Sequence, residues 1–254
     1  MDIEVRNNLG IKYNLSDSKA FDILKVTGLN PSTATINSSQ SATGQGAIYS
    51  NSKLNQRNIV FTLNLRKPIE ENRWKMYEIF QSGEKLRLYF SLGWRIVYID
   101  GYVESIEFTQ FDKTQRPVIS IICPSPFLIN GKSIKEDFIT KGLRIYNDGV
   151  KVGARFTLTM LDAVTDPGIT NTITGEKFVI EGNFLKNDVL TINSNEGVKT
   201  LTLTRNGVIQ NWLGNASDES LENWIYINRG ENIFKTSNTV VNCSIYAQLK
   251  YLGI

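Results

Sequence analysis

The stretch that decides the fold lies almost midway along the 254-residue chain and reads Arg116-Pro117-Val118-Ile119-Ser120-Ile121-Ile122-Cys123-Pro124-Ser125-Pro126-Phe127-Leu128-Ile129. It begins as a β-branched run that is typical of a buried strand. It ends at Pro124 and Pro126, which cannot donate a backbone N–H to a sheet. We therefore predict a boundary between two domains, residues 1–130 and 131–254.

The composition is that of a globular protein, with 41% hydrophobic residues, 21% charged residues and a net charge of +3. No apolar run approaches the roughly 20 residues of a membrane span, and the polar start Met1-Asp2-Ile3-Glu4 argues against a signal peptide. Lysine and arginine do not cluster as they do in nucleic-acid-binding proteins. We expect a protein made in a cytoplasm, without membrane insertion or sequence-specific DNA binding.

The chain contains no histidine. Histidine titrates nearest neutral pH and is the commonest metal ligand, so a Ser-His-Asp triad, a Cys-His dyad or the usual zinc site cannot be built. The two cysteines, Cys123 and Cys243, lie in apolar, strand-like contexts that are typical of buried thiols. The residues therefore argue against histidine-dependent catalysis, and we predict no metal and no cofactor.

The first half is predicted to be β-rich with one amphipathic helix. The helix follows Pro68 and ends before Gly83. Its aromatic residues Trp74, Tyr77 and Phe80 recur at three-residue spacing, which favours a face packed on the sheet over a subunit-docking stripe. Strands are predicted at Asn58–Leu65, Lys85–Phe90, Arg95–Ile99, Tyr102–Phe111 and Val118–Ile122.

Residues 28–56 are a long polar stretch whose only charge is Lys53. A flexible linker is one interpretation. The alternation in Thr33-Ala34-Thr35-Ile36 instead favours an extended arm or hairpin with its tip near residues 39–46. A segment that buries so little of its own apolar surface gains order from a partner. The predicted oligomer or partner contacts are Thr33, Thr35, Ile36, Gln45, Ile48 and Tyr49.

The second half contains no convincing helix. Short strands separated by Gly and Asn turns are typical of a β-sandwich of jelly-roll or related type. The predicted strands are Leu143–Tyr146, Arg155–Met160, Thr170–Thr174, Lys177–Ile180, Val189–Asn193, Lys199–Thr204, Trp224–Ile227, Asn232–Lys235 and Val240–Leu249.

Two segments of the first half resemble the distal tail protein (Dit) family of long-tailed bacteriophages. Gly44-Gln45-Gly46-Ala47-Ile48-Tyr49, leading through Arg57 to Ile59–Leu65, is similar to the family's glycine-containing loop followed by an arginine and an alternating strand. Gly101–Glu107 and Cys123-Pro124-Ser125-Pro126-Phe127 are similar to its hairpin and its Cys-Pro-x-Pro-aromatic ending. Ser125 stands where the family usually has an acid.

A third segment, in the second half, extends the resemblance. Lys186–Asn193 and the later Ile227–Asn232 are similar to the family's glycine-aspartate strand and its proline-glycine-glutamate-asparagine turn. Asn187 stands where glycine is common, and Arg229 where proline is common. The turn geometry at these two positions is therefore an open question.

The resemblance implies a mainly β protein with an N-terminal ring-forming domain and a C-terminal β-sandwich similar to galectins and carbohydrate-binding modules. It also implies a homohexamer, with back-to-back rings as an option, that caps the distal end of the tail tube and leaves an axial channel for DNA. The implied partners are the tail tube protein, the tail-associated tip protein and, as an option, a receptor-binding protein. The implied location is the tail tip of the virion, after assembly in the host cytoplasm.

Two other functions are weighed against this structural role. A carbohydrate-binding protein acting in host recognition would use Trp212 as a sugar contact, whereas Trp224 is predicted to lie in the core. A glycosidase would need two carboxylates facing each other across a cleft. The acids Asp218, Glu219 and Glu222 lie in a polar segment and are predicted to be solvated.

Overall fold

The computed structural model describes residues 1–40, 44–109, 112–139 and 142–254. The fold is mainly β, as predicted, with two α-helices among these residues. The chain divides into two compact units, Met1–Gly131 with Tyr251–Ile254, and Lys132–Lys250. In the part of the chain that the structure describes, neither helix is long and apolar enough to cross a membrane.

The first unit is built on a nine-stranded sheet. Its elements are β1 (Asp2–Asn7), β2 (Lys12–Asn14), β3 (Phe21–Thr27), β4 (Ala34–Gln40), β5 (Ala47–Leu54), β6 (Arg57–Leu65), α1 (Ile69–Ile79), β7 (Lys85–Ser91), β8 (Ile96–Glu107), β9 (Val118–Cys123) and β10 (Leu128–Asn130). The main path of the sheet is β2-β1-β7-β8-β9-β6-β3, and β10 pairs with β8 and with the two-residue strand Lys250–Tyr251. Strands β4 and β5 form a separate two-stranded sheet.

Helix α1 packs through a face that shares Phe80 with the predicted stripe but not Trp74. Its buried residues are Met76 and Ile79, followed by buried Phe80, and the Phe80 ring lies 6.4 Å from that of Phe61. Spacings of three and four residues place side chains on one helix face. Trp74 lies outside that face and is 71% exposed, so its predicted place in the core is wrong.

Strand β8 replaces two predicted strands. Arg95–Ile99 and Tyr102–Phe111 were separated at Gly101 in the prediction, whereas one strand runs through Gly101. A Cβ at this position would lie 2.6 Å from Cγ2 of Ile121 and 2.8 Å from Sγ of Cys123. The glycine is therefore needed for close packing and does not mark a turn. Phe111, the predicted end of the second strand, lies outside the described residues.

The second unit is a β-sandwich. Its elements are β11 (Ile134–Phe138), β12 (Leu143–Asn147), β13 (Arg155–Met160), β14 (Val164–Thr165), β15 (Gly168–Asn171), β16 (Lys177–Val179), β17 (Asn183–Phe184), β18 (Val189–Asn193), β19 (Thr200–Arg205), β20 (Val208–Asn211), a 3-10 turn (Leu213–Asn215), α2 (Asp218–Glu222), β21 (Gly230–Thr236) and β22 (Val241–Ala247), before the closing strand β23 (Lys250–Tyr251). The larger sheet has the order β11-β22-β13-β18-β19-β20, and the smaller one β12-β21-β15-β16. Phe156 of the larger sheet and Phe234 of the smaller sheet are buried with ring centroids 5.4 Å apart, so both sheets contribute to one core.

Two predictions about the second half are corrected. A short helix, α2, is present where none was predicted, and the Ser217 side chain accepts a hydrogen bond from the Ser220 amide at its start. The predicted strand Trp224–Ile227 is absent, since only Ile227 forms an isolated bridge, to Val152. Trp224 is nevertheless buried, as predicted, and its ring contacts Phe178.

The cysteines are buried free thiols, as predicted. Burial raises the pKa of Cys123 to about 12 because the thiolate would lose its hydration, and burial likewise raises the pKa of Cys243. Neither thiol is suited to act as a nucleophile at neutral pH.

The turn before β18 shows how Asn187 takes the place where the Dit family commonly has glycine. Asn187 has φ +70°, a left-handed conformation that glycine adopts freely and asparagine tolerates. Asp188 is 2% exposed and accepts hydrogen bonds from Nε of Arg205 at 2.9 Å and from the Leu185 amide at 2.8 Å. The hydrogen bonds from Arg205 lower the pKa of Asp188, since they favour its charged form.

A pH dependence of the second unit follows from Asp188. Because its pKa is lower in the folded than in the unfolded state, the carboxylate stabilises the fold above its unfolded pKa, about 3.9. That contribution is lost as the pH falls through the folded value. We expect the melting temperature to decrease below about pH 4, and to decrease less steeply in Asp188→Asn. Calorimetry from pH 2.5 to 7 measures both curves, and parallel curves would contradict the assignment.

Candidate oligomer-contact site

Strands β4 and β5 form the predicted hairpin, here called the arm. They pair antiparallel from Ala34 opposite Leu54 to Gln40 opposite Ala47. The pairing register shifts between Asn37 and Ser38. Residues 41–43 of the predicted tip lie outside the described residues.

The arm is exposed along its whole length. Every described residue from Ala34 to Lys53 is exposed, including Ile36 at 66%, Ile48 at 63% and Tyr49 at 61%. The pairing of Ser38 with Tyr49 places Tyr49 on the same face as Ile36, and Ile48 lies on the opposite face. Both faces of the hairpin therefore present apolar side chains to solvent.

The six predicted contact residues are all in or beside the arm. Thr35 and Ile36 lie in β4, Ile48 and Tyr49 in β5, and all are exposed. Thr33 and Gln45 are also exposed and lie just before β4 and β5. The structure thus brings the six onto one projecting element, and their role in contacts stays a prediction.

Uncharged side chains link the two strands of the arm. Asn37 Nδ2 donates to Asn51 Oδ1 at 2.6 Å, and Thr35 Oγ1 donates to Asn55 Oδ1 at 2.9 Å. An isolated two-stranded hairpin is marginally stable in water. These hydrogen bonds define the hairpin, but the arm buries no apolar face of its own.

A buried arginine lies at the root of the arm, which consists of residues 28–31 before β4 and residues 55–57 after β5. Arg57 is 3% exposed, and Nη1 donates to the carbonyl oxygens of Gly28 at 2.6 Å and Asn30 at 2.7 Å. Nη2 donates to Pro126 O at 2.8 Å and also to Leu252 O, while Nε donates to Pro126 O at 3.1 Å. Burial lowers the pKa of Arg57 because it disfavours the charged form. Four carbonyl oxygens accept the hydrogen bonds of this buried cation.

The chain approaches itself closely at the same root. Gly28 has φ +83°, and a Cβ there would lie 1.9 Å from Asn58 O. Only glycine fits such a contact. The outgoing and returning segments of the arm are therefore fixed side by side next to Arg57.

Sequence reasoning noted Arg57 only within the family resemblance and missed its role at the root. A signal was present, however. In β6, Arg57 occupies the same alternating face as Ile59, Phe61 and Leu63, all of which are buried. A cation on the core face of a strand requires several hydrogen-bond acceptors.

Trp212, the predicted sugar contact, is half-buried. Its ring meets Phe184 edge-on at 6.4 Å, and its indole nitrogen is buried without a hydrogen-bond partner among the described residues. The structure therefore does not present Trp212 as a fully exposed aromatic platform. Its role in sugar binding stays a prediction.

An open cavity of about 320 Å³ lies elsewhere in the second unit, beside Trp224 and Tyr226. Lys151 Nζ lies 4.1 Å from the Tyr226 ring centroid, and Lys199 Nζ lies 5.3 Å from that of Trp224. Both rings thus already face an ammonium group, which leaves less aromatic surface for a sugar to stack on.

The predicted solvated acids are exposed, as expected. Asp218, Glu219 and Glu222 all lie on α2 and are open to solvent. Among the residues that the structure describes, no group of three or more His, Cys, Asp or Glu side chains is arranged to hold a metal ion.

Comparison with known proteins gives matches over the second unit and over the whole fold. Residues 149–251 match the family model of the siphovirus-type tail component, C-terminal domain. The structure is similar to that of the Dit protein of phage SPP1, with a TM-score of 0.68, 11% sequence identity, and coverage of 98% of this chain and 99% of that chain. The family match thus covers residues 149–251, and the structural match shows that the whole chain shares the fold of the SPP1 protein.

Two further structures are less similar to this chain. Chains of the phage P2 baseplate in its activated conformation with Ca and of the phage p2 baseplate with Sr match at TM-scores of 0.48 and 0.44, each at 12% identity. The first match covers 100% of this chain and 99% of the other chain, and the second covers 97% of each. No curated protein sequence matches the chain.

Proposed function

We propose that this chain is a Dit-type tail protein. Six copies close into a ring that caps the distal end of the tail tube and leaves an axial channel for DNA. The first unit forms the ring, and each arm packs on a neighbouring copy. The observation that carries the proposal is the arm, a hairpin that exposes Ile36, Ile48 and Tyr49 and packs on no other described strand. A partner surface would bury these side chains and order the hairpin.

The proposed contact is heterologous, since the arm of one copy meets a different surface on the next. Contacts of this type close into rings when the rotation between neighbours is a simple fraction of a turn. The sequence and the fold of one copy do not fix the number six, which follows the family resemblance. Such an assembly has a structural role, so the proposed function requires no catalytic group.

The proposed partners follow from the resemblance to the Dit family. One face of the ring would meet the tail tube protein, and the other the tail-associated tip protein. A receptor-binding protein is a further candidate on the second unit. The related SPP1 protein is described as a paradigm of the hub of the adsorption apparatus in phages that infect Gram-positive bacteria. Assembly in the host cytoplasm before incorporation into the virion completes the proposal.

The test is the mass of the purified full-length chain by light scattering across a range of concentrations. We expect a species of six times the chain mass, or twelve times if rings pair back to back. The arm has one charge, Lys53, and so the species is expected to persist when NaCl is raised from 0.1 to 1 M. A monomer at every concentration would contradict the proposal.

A further inference from the structure

Residues 252–254 lie along residues 29–31, the segment of the root that leads into β4. The Ile254 amide donates to Leu29 O at 3.2 Å. A Cβ on Gly253 would lie 2.9 Å from Cδ of Pro31 and 3.0 Å from Leu29 O. The backbone of residues 252–254 is therefore in direct contact with the segment that leads into β4.

Arg57 also connects residues 252–254 to the root. Its guanidinium donates to Leu252 O, while Nη1 donates to Gly28 O and Asn30 O, on either side of Leu29. Arg57 itself begins the strand that follows the arm. One side chain thus connects the segment before β4, the segment after β5 and residue Leu252.

Among the residues that the structure describes, only the root is in a position to direct the arm. Beyond it, β4 and β5 pair only with each other, and their described residues up to Lys53 are exposed. The direction in which the hairpin leaves the sheet therefore depends on residues 28–31 and 55–57. A segment held in its binding direction loses less conformational entropy when it binds.

We propose that residues 252–254 and Arg57 form a clamp that fixes the direction of the arm, which makes Arg57 and Gly253 positioning residues for the contact with the next copy. The clamp itself is a property of a single chain. Its benefit to assembly rests on the proposed function, in which the arm is the contact element.

The test uses Gly253→Ala in the full chain. The added methyl would meet the Pro31 ring and the Leu29 carbonyl, so it would displace the chain end from the root without removing any hydrogen-bonding side chain. Gly214→Ala is the matched control, since a Cβ there meets nothing within 4 Å and, as at Gly253, φ lies outside the left-handed region. Arg57→Lys provides a second variant, which keeps the charge but not the planar fork that reaches four carbonyls.

Hydrogen exchange measured by mass spectrometry reports on the clamp. In Gly253→Ala and Arg57→Lys we expect amide exchange at residues 29–36 and 53–57 to be at least about tenfold faster. In Gly253→Ala, which keeps the Arg57 side chain, we expect exchange in β7, β8 and β9 to be unchanged. Wild-type exchange at the root in Gly253→Ala would overturn the proposal, as would an equal acceleration throughout the sheet, which would indicate a role in overall stability.

Light scattering on the same samples separates the two proposals. Faster exchange at the root with loss of the oligomer supports the clamp and its role in assembly. Faster exchange at the root with an intact oligomer supports the clamp but contradicts the arm as the contact element of the ring. Unchanged exchange with an intact oligomer overturns the clamp and leaves the ring proposal standing.

Discussion

The double variant Ile36→Asp, Ile48→Asp is expected to stay monomeric at concentrations at which the wild-type protein assembles. Burial of an isoleucine side chain is worth about 1.5–3 kcal/mol, so loss of both weakens each contact by about 3 kcal/mol or more. That amounts to at least about a 100-fold increase in the dissociation constant. The introduced carboxylates add a desolvation cost if they are carried into the interface.

The same substitutions are expected to leave the folded chain intact. Both residues are more than 60% exposed, and exposed positions usually change stability by less than about 0.5 kcal/mol. Ile209→Asp is the matched control, because Ile209 is 71% exposed on β20 of the second unit. Sedimentation velocity measures the assembly, and calorimetry the folding. An oligomer that persists in the double variant would show that the arm is not the contact.

The variant Arg57→Met is expected to destabilise the first unit strongly. Methionine fills much of the same space but donates no hydrogen bonds, so four carbonyl oxygens lose their partner. Buried acceptors without a donor cost about 1–3 kcal/mol each, and we expect a total of at least about 3 kcal/mol even if water reaches some of them. The melting temperature should decrease by roughly 10 °C.

Arg116→Met is the control for loss of a positive charge. Arg116 is exposed at the start of the segment that leads into β9. We expect its melting temperature to stay close to that of the wild type, within about 0.5 kcal/mol in stability. A decrease of only 1–2 °C in Arg57→Met would show that the buried arginine is dispensable.

Local patterns were sufficient for most of the elements. The alternation of Asn58–Leu65 predicted β6, and Pro68 marked the start of α1 correctly. The errors arose where tertiary packing decides. Gly101 reads as a break in the sequence, but the side chains of the neighbouring strand β9 require it inside β8. Trp224 reads as a strand residue, but it fills the core from a segment without regular pairing.

The arm was predictable, and the alternation of β6 could have placed Arg57 on its core face, but the hydrogen-bond partners of Arg57 were not predictable. A long stretch with Lys53 as its only charge indicated a segment that lacks its own core, and the β-branched alternation indicated its strands. The role of Arg57 depends on carbonyls of Gly28, Pro126 and Leu252, which are far from it in sequence. Every residue type has a backbone carbonyl, so a single sequence cannot show which carbonyl oxygens will lie around Arg57.

Electron microscopy of the purified full-length chain tests the central claim most directly. The account predicts ring-shaped particles with sixfold symmetry, an open centre and a hairpin from each copy lying on its neighbour. Particles the size of a single chain, without rotational symmetry at any concentration, would contradict it.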